Sequence, residues 1–412
     1  MPVDFCRVPP RVTVPAPPHP SVLFWSALLA VFLGAAIALT IVMWPPGRPT
    51  NVPLFWLCCL VYPCALWAFF LALSLGYGHM RCDTARADNL ASDEIESQCH
   101  DEASVPLAVL GHAWRFAGDK DANDVTDIVS GATQLGLRPS GAEPDSDVRA
   151  RWLEIPGKPF YPGNALGEHQ RHLVISEWLL AELIEDMAPG LDALPAGCSL
   201  QVHLSLQSML DLDDVCKDLE TRLQARVPAL RITTTSSADD LPLSEVDTWH
   251  DTMTNSDAQL LIAIQLRRAI SQRLVDGEAE VGVALLLGHP GSSCAPFSSP
   301  GLALHRPAVE IPDAAAKAVS LATRWGQTEA ARVRTIWCHL PSEELVREVK
   351  SLPEYQPALW IDVGASVGNC AGAGAWLTTA LAIAHASRDP SPQIVLSQHD
   401  HNVIALVCKK QV

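Results

Sequence analysis

The sequence predicts an α/β soluble body preceded by a two-helix transmembrane hairpin. Two long runs near the N-terminus contain no charged residue, and the remainder alternates strand-like with helix-like segments, which is typical of α/β proteins. Charge divides the chain in the same way: residues 1–80 carry a net charge of +2 and residues 81–412 carry −19, which together give the total of −17. An acidic body is a poor partner for a phosphate backbone, so we expect no binding of nucleic acid.

The N-terminal region is predicted to be a Pro-rich tail (1–20) followed by the hairpin (21–80). Its first apolar run, 22–44, has 23 residues and forms a helix of about 34 Å, enough to cross a bilayer core of about 30 Å. The second run, 52–77, contains Pro63, which is expected to kink the helix. A cleaved signal peptide is the alternative for the first run, but the run is longer than a typical signal core.

Arginine placement predicts the orientation of the hairpin. Arg7 and Arg11 precede it and Arg81 and Arg86 follow it, whereas the connecting loop has only Arg48. The positive-inside rule then places both termini and the soluble body in the cytoplasm, on a multi-pass protein of a bacterial inner membrane. The twelve cysteines are scattered without a CxxC motif, as expected for reduced thiols rather than a disulfide framework.

The soluble region is predicted to comprise an acidic linker and two α/β halves. Their ranges are 81–104 for the linker, 105–257 for the first half and 258–412 for the second half. In the first half, periodicity predicts helices over 172–187, 210–226 and 243–252, and strands over 199–206 and 230–235. In the second half it predicts strands over 258–266, 278–287, 333–339 and 360–363, helices over 311–324, 341–351 and 371–386, and a closing hairpin of 393–397 and 402–408.

Three stretches of the second half resemble the thiolase/β-ketoacyl synthase superfamily. They are 278–288 (EAEVGVALLLG), 333–344 (VRTIWCHLPSEE) and 362–384 (DVGASVGNCAGAGAWLTTALAIA). The resemblance implies a thiolase-like fold and, by analogy, a homodimer. It also implies what catalysis would need: an activated cysteine on a strand-to-helix turn of the first half, with two basic partners in the second half.

The resemblance leaves the catalytic set incomplete. His339 stands near the position of the first basic partner, and Asn369, followed by Cys370, stands where a second histidine is expected. No stretch of the first half resembles the nucleophile turn, and Cys216 lies among aspartates that would raise the pKa of its thiol. The glycines near Cys370 have a simpler explanation, because small residues let a helix pack tightly. We therefore predict a fold without catalytic residues; the alternative is a divergent acyl-transfer enzyme built around His339, Asn369 and Cys370.

A proline-rich segment, 151–164 (RWLEIPGKPFYPGN), is the predicted binding surface. Trp152, Phe160 and Tyr161 could dock a partner protein there; the alternative is a loop folded against the body.

Histidine-rich motifs offer weak candidates for a metal site. Glu168, His169 and His172 share one helical turn, and His399 and His401 flank an aspartate in a predicted hairpin turn. Neither motif has the further ligands of an established metal site, so we expect no metal; the simpler interpretations are an exposed helix start for the first motif and ordinary turn residues for the second. No nucleotide-binding or nucleophile-elbow motif occurs, so we expect no cofactor.

The predicted function is a non-catalytic, membrane-anchored adaptor. Its partner would be a protein bound at the bacterial inner membrane. The combination of Pro-rich tail, Trp-rich anchor and synthase-like half resembles accessory proteins of type VI secretion clusters. That resemblance implies a secretion effector or an apparatus component as the partner. The alternative function is a membrane-bound acyl-transfer enzyme.

Overall fold

The computed structural model describes residues 3–290 and 301–411 as two compact units. One unit is Asp4–Cys99, and the other is a body that begins at His100. Cys294 lies outside the described residues.

The N-terminal unit contains two long apolar helices. Its elements are α1 (Val22–Met43), α2 (Pro53–Trp56), a π-helical turn (Leu57–Val61) and α3 (Tyr62–Ala103), which continues into the body. The indole of Trp67 on α3 donates a hydrogen bond to the carbonyl of Trp25 on α1 at 2.8 Å, so the two helices pack against each other. None of the α1 residues is buried, and both helices are long and apolar enough to cross a membrane.

The predicted acidic linker is helical. Residues 81–103 lie within α3, which continues past the predicted end of the apolar run at Tyr77 without a break. Irregular backbone instead occurs at the π-helical turn Leu57–Val61, which ends two residues before Pro63. Tyr62 N donates to the carbonyl O of Leu57 there, which is the five-residue spacing of a π-helix.

The first half of the body contributes five long strands to one large mixed sheet. Its elements are β1 (Leu107–Arg115), α4 (Val125–Val129), a small separate ladder of β2 (Arg138–Pro139) and β3 (Asp147–Val148), α5 (Ala165–Asp192), β4 (Ser199–Gln207), α6 (Leu212–Arg226), β5 (Arg231–Ser237), α7 (Glu245–Thr252), β6 (Asp257–Gln265) and β7 (Val281–Gly288). Their order across the sheet is β5-β4-β6-β7-β1. Strand β4 is parallel to β5 and β6, and β7 is antiparallel to its neighbours.

The second half repeats this arrangement. Its elements are β8 (Leu302–Leu304), β9 (Ala308–Glu310), α8 (Ala315–Trp325), β10 (Thr335–Cys338), α9 (Glu343–Lys350), β11 (Leu359–Asp362), α10 (Val363–Ser366), α11 (Ala373–Arg388), β12 (Gln393–His399) and β13 (Asn402–Lys410). Their order is β11-β10-β12-β13-β8, with β9 paired beside β13. Antiparallel pairing of β1 with β8 joins the two halves into one sheet.

The two halves are therefore structural repeats of one unit. In each, three strands alternate with helices, two further strands form an antiparallel pair, and the first strand lies beside the last. The predicted α/β class and the closing hairpin β12–β13 are confirmed. The boundary between the repeats falls after β7, at residues 289–301, so β6 and β7 belong to the first repeat and the predicted boundary at 257/258 lies inside it.

Helices cover both faces of the sheet. In the first repeat, α5 and α6 pack on one face of its strands. In the second repeat, α8 and α9 pack on one face of theirs. Helices α7 and α11 share a single apolar cluster with strands of both repeats. Within that cluster Trp249 of α7 stacks on Trp376 of α11, with ring centroids 5.7 Å apart. Strands β6 and β7 are buried along almost their whole length because both of their faces are covered.

Candidate functional site

The short helix α10 and a glycine-rich turn, residues 367–372, connect β11 to α11, and the turn contains the candidate residues Asn369 and Cys370. Gly368 has φ of +119°, a conformation that L side chains rarely adopt, and a Cβ there would lie 2.6 Å from the Cβ of Ala279. Backbone hydrogen bonds fix the turn: Asn369 N donates to Gly277 O at 2.6 Å and Ala279 N donates to Asn369 O at 3.0 Å. The glycine at 368 thus permits close contact with the segment before β7.

His339 lies at the end of β10 and faces this turn. Its Nε2 is 3.3 Å from both the backbone N of Cys370 and the carbonyl O of Gly368. A Cβ on Gly374 would lie 2.3 Å from the His339 ring, so the glycine leaves the space that the ring occupies. Burial lowers the pKa of His339, although the Gly368 carbonyl and Asp362 oppose that shift. The imidazole is therefore neutral at neutral pH and is held by backbone atoms.

Cys370 is fully buried, and its thiol is protonated. Its Sγ contacts the carbonyl O of Gly368 at 3.5 Å. Burial raises the pKa of the Cys370 thiol to about 12, despite the opposing charges of Arg151 and Arg267. Because the thiolate is the nucleophile, a thiol with this pKa is inert at neutral pH.

Asn369 also serves the local backbone. Its Oδ1 accepts a hydrogen bond from Ala371 N at 2.9 Å, which supports the positive φ of 45° at Ala371. The structure thus brings together His339, Asn369 and Cys370, the residues of the alternative, catalytic interpretation. The polar atoms of all three, however, are engaged mainly with the backbone of the turn.

The repeat reveals a second strand-to-helix turn, residues 238–244, which sequence reasoning did not single out. It connects β5 to α7 in the first half, as the glycine-rich turn connects β11 to α11 in the second. The two turns meet: Trp376 Nε1 donates to Leu241 O at 2.8 Å, and a Cβ on Gly372 would lie 2.1 Å from Asp240 Oδ1. This turn contains aspartates but no cysteine. The sequence did offer one indication of this turn, because the residues Asp-Asp-Leu-Pro stand between a predicted strand and a predicted helix.

The remaining cysteines of the first half do not supply a nucleophile at this site. Cys198 is buried directly before β4, and Cys216 lies on α6. Burial raises the pKa of the Cys216 thiol, and Glu220 and Asp213 raise it further. The predicted effect of neighbouring carboxylates on Cys216 is therefore present, although burial is the larger cause.

Glu168 and His172 of the first histidine motif belong to a buried ion network rather than to an exposed helix start, whereas His169 is exposed. Burial alone would raise the pKa of Glu168, but the hydrogen bond of His172, the charge of Arg171 and the N–H groups of Ile270 and Ser271 lower it to about 2. His172 has both ring nitrogens engaged by backbone, since Nε2 lies 2.9 Å from the carbonyl of Arg267 and Nδ1 accepts from Met209 N at 3.1 Å.

The second histidine motif lies in the hairpin turn between β12 and β13, where the ring of His399 is 3.5 Å from Asp400. Within the described part of the chain, no group of three or more candidate ligands could hold a metal ion.

Glu168 is expected to make folding stability depend on pH in acid. Its folded pKa of about 2 lies below the ordinary value of 4.5, so its charged form stabilises the fold above pH 4.5. We expect this contribution to be lost progressively as the pH falls from about 4.5 towards 2. Urea unfolding of the full-length chain in detergent, followed by tryptophan fluorescence between pH 7 and pH 3, measures it. Glu168→Gln should flatten the decline and Glu177→Gln, at an exposed position, should not; equal slopes for all three proteins would contradict the assignment.

The predicted binding segment 151–164 is only partly exposed. Trp152 is 6% exposed and packs beneath the guanidinium of Arg138, which lies 3.6 Å from its ring centroid. Trp152 is thus part of a small buried cluster and does not contribute to an exposed surface. Phe160 is half-buried beside an open cleft of about 590 Å³, whereas Tyr161 is 72% exposed.

Comparison with known proteins identifies similar folds only among solved structures. No family model and no curated protein matches the sequence. The ishigamide ketosynthase/chain length factor is 15% identical, with a TM-score of 0.48 over 75% of this chain and 100% of that one. A Streptomyces albus oxazolomycin ketosynthase domain is also 15% identical, with a TM-score of 0.48 over 74% and 95% of the two chains. Cerulenin-bound OleA of Xanthomonas campestris is 10% identical, with a TM-score of 0.43 over 74% and 96%.

Two of these three structures are described as ketosynthases. None of the three is described as a secretion component. At these identities and scores, the matches transfer neither an activity nor a substrate to this chain.

Proposed function

We propose that this protein is a membrane-anchored, non-catalytic binding protein with a thiolase-like body. One observation carries the proposal: the cysteine nearest to the candidate basic residues, Cys370, is a fully buried thiol whose pKa is raised to about 12. The turn of the first half that contacts the glycine-rich turn, residues 238–244, contains no cysteine. With no activated thiol in these two described turns, covalent acyl transfer through cysteine has no nucleophile there.

The apolar helices support attachment to a membrane. Helix α1 has no buried residue, and the window of highest hydropathy in the helix Pro53–Ala103 is only 11% buried. A water-exposed apolar surface of this length would be strongly unfavourable, whereas lipid would cover it. Four arginines flank the hairpin on the side of its two ends, whereas the short loop has one, Arg48. By the positive-inside rule, we propose that the acidic body lies in the cytoplasm at a bacterial inner membrane.

The segment 151–164 is the docking surface that we propose for a partner protein. The segment is fixed near its start by the packing of Trp152 against Arg138 and near its end by the hydrogen bond from Gly163 N to Ile270 O at 2.9 Å, and the ring of Tyr161 between these points is exposed. An aromatic residue held this way loses little conformational entropy on binding, which suits an interface hot spot. A type VI secretion effector or apparatus component is the partner class to test first.

Replacing Tyr161 by serine is expected to weaken partner binding by about tenfold, the loss typical of a modest hot spot. The full-length protein, purified in detergent, is used to capture effector and spike proteins encoded in the same gene cluster. Ile311→Ser is the control, because Ile311 is a similarly exposed apolar residue, 58% exposed, in the second repeat. Retention of a partner by the wild type and I311S but not by Y161S supports the proposal. Failure of the wild type to retain any of these proteins contradicts the adaptor function.

A divergent acyl-transfer enzyme is the second candidate function. It is favoured by the position of His339, whose Nε2 lies 3.3 Å from the backbone N of Cys370. Two of the solved structures named above are described as ketosynthases, and none of the three is described as a secretion component. The reactivity of the Cys370 thiol separates the two functions.

A further inference from the structure

A polar cavity of about 400 Å³ lies at the carboxyl ends of two parallel strands in the first repeat. Gln207 and Gln265, the last residues of β4 and β6, contribute to its wall, and the segment that follows β6 closes it. In α/β sheets the crevice outside the carboxyl ends of parallel strands is the usual position of a ligand. None of the residues that line the cavity belongs to the segment 151–164.

Three arginines line this cavity in a chain whose net charge is −17. Arg267 pairs with Glu278 at 3.3 Å. Arg268 is exposed and forms no ion pair with any described residue. Arg273 donates to a backbone carbonyl, that of Asp147, at 2.9 Å. The cavity therefore carries excess positive charge, in the planar donor geometry that binds phosphate and carboxylate groups bidentately.

Two buried polar atoms in the wall have no hydrogen-bond partner within the described residues. They are Oε1 of Gln265, a residue that is only 4% exposed, and Nε of Arg267. A buried polar atom without a partner costs free energy unless a ligand or an ordered water satisfies it. An acceptor at Gln265 and a donor at Arg267 match a ligand that carries both hydroxyl and anionic oxygen groups.

The wall of the cavity is held in place from behind. The backbone N of Arg267 donates to Glu280 at 2.7 Å, and Glu280 is also bound by the buried Arg171. His172 contacts the carbonyl of Arg267 at 2.9 Å on the same side. These contacts fix the backbone from which the first arginine of the cavity projects, so the site is formed before a ligand binds.

We propose that this cavity binds a small, hydroxylated phosphate ester. The guanidinium groups of Arg268 and Arg273 hold the phosphate, and the amide oxygen of Gln265 accepts a hydrogen bond from a ligand hydroxyl. The proposal goes beyond the docking function, since it concerns a different surface and stands whether or not a partner binds at Tyr161.

Isothermal titration calorimetry of the full-length protein in detergent, at constant ionic strength, tests the site. Glycerol 3-phosphate is the ester probe and orthophosphate is the free anion. The double variant R268Q/R273Q is expected to bind glycerol 3-phosphate at least about tenfold more weakly, since it loses two charge-assisted contacts. The control R231Q/R334Q removes the same charge from two exposed arginines that do not line the cavity.

The proposal is supported if the wild type binds glycerol 3-phosphate saturably and more tightly than orthophosphate. This binding should be weakened in R268Q/R273Q but not in the control R231Q/R334Q. Gln265→Leu should bring the affinity for the ester close to that for orthophosphate while keeping the arginine contacts. No saturable binding by the wild type overturns the site. Equal weakening in the control pair shows a general electrostatic effect and overturns it too, and equal affinity for the two probes overturns the assignment of an ester.

Discussion

Replacing Arg171 by alanine is expected to lower the free energy of unfolding of the body by about 3–5 kcal/mol. The Arg171 guanidinium is completely buried on α5, where it pairs with Glu168 at 3.0 Å and with Glu280 at 2.5 Å. Its removal leaves two buried carboxylates without their cation, which is far costlier than the loss of a surface ion pair. Urea unfolding of the full-length protein at pH 7, followed by tryptophan fluorescence, measures the change.

A matched exposed ion pair provides the control. Arg222 pairs with Asp218 at 2.8 Å on α6, and both side chains are about one third exposed. Arg222→Ala should cost no more than about 1 kcal/mol because solvent screens this pair. If R171A and R222A have the same unfolding free energy, the buried network does not stabilise the body in the way that its geometry indicates.

The same network shows why local sequence reasoning failed at the histidine motif. Glu168 and His172 are polar residues at the start of a helix, which is typical of an exposed position. The groups that permit the burial of the Glu168 carboxylate include the backbone N–H groups of Ile270 and Ser271, which lie 102 and 103 residues farther along the chain. Periodicity within one helix carries no information about such distant partners, so the motif was predicted to be exposed.

The accuracy of the fold prediction follows the strength of local patterns. Strands β6 and β7 are continuous apolar runs, and β12 with β13 forms a hairpin of short apolar segments, so their sequences alone indicate them. The internal repeat was not predicted. Strand β5 (RITTTSS) is polar and largely exposed, and α7 has only eight residues, so the first repeat lacks the glycine-rich signature that marks the corresponding turn of the second.

The candidate site was predicted in part for a related reason. His339, Asn369 and Cys370 lie in the glycine-rich repeat, where the resemblance was visible, and the structure brings them together. Asp240 meets the same turn from the first repeat, but nothing in its neighbourhood of the sequence indicates that contact. A contact between distant turns depends on the packing of α7 against α11, which is a tertiary property.

Cys370 is expected to react with chloroacetamide at least about 10³-fold more slowly than an exposed cysteine of the same chain. A pKa of about 12, compared with an ordinary value of about 8.5, reduces the thiolate fraction by about 10³-fold at neutral pH. Complete burial slows the reaction further by excluding the reagent. Mass spectrometry of peptides from the labelled full-length protein measures each cysteine separately, with the exposed Cys6 as the internal standard.

Two controls attribute the slow reaction to the folded environment. In concentrated urea, Cys370 and Cys6 should react at similar rates, because unfolding removes the burial that raises the thiol pKa. The variant His339→Gln tests activation by the imidazole: if the histidine withdrew the thiol proton, its loss would slow labelling further. In the structure, His339 Nε2 instead contacts the backbone N of Cys370, so labelling should not become slower in H339Q.

The pH dependence of labelling distinguishes the two functions most directly. A thiol activated by a neutral histidine reaches its full rate near neutral pH, because the thiolate and imidazolium form together. A buried, unassisted thiol shows a rate that keeps rising about tenfold per pH unit up to pH 9 and beyond, since each unit below its pKa costs a factor of ten in thiolate. We expect the second profile for Cys370. A plateau near pH 7 with a rate comparable to that of Cys6 would overturn the non-catalytic function and identify Cys370 as the nucleophile of an acyl-transfer enzyme.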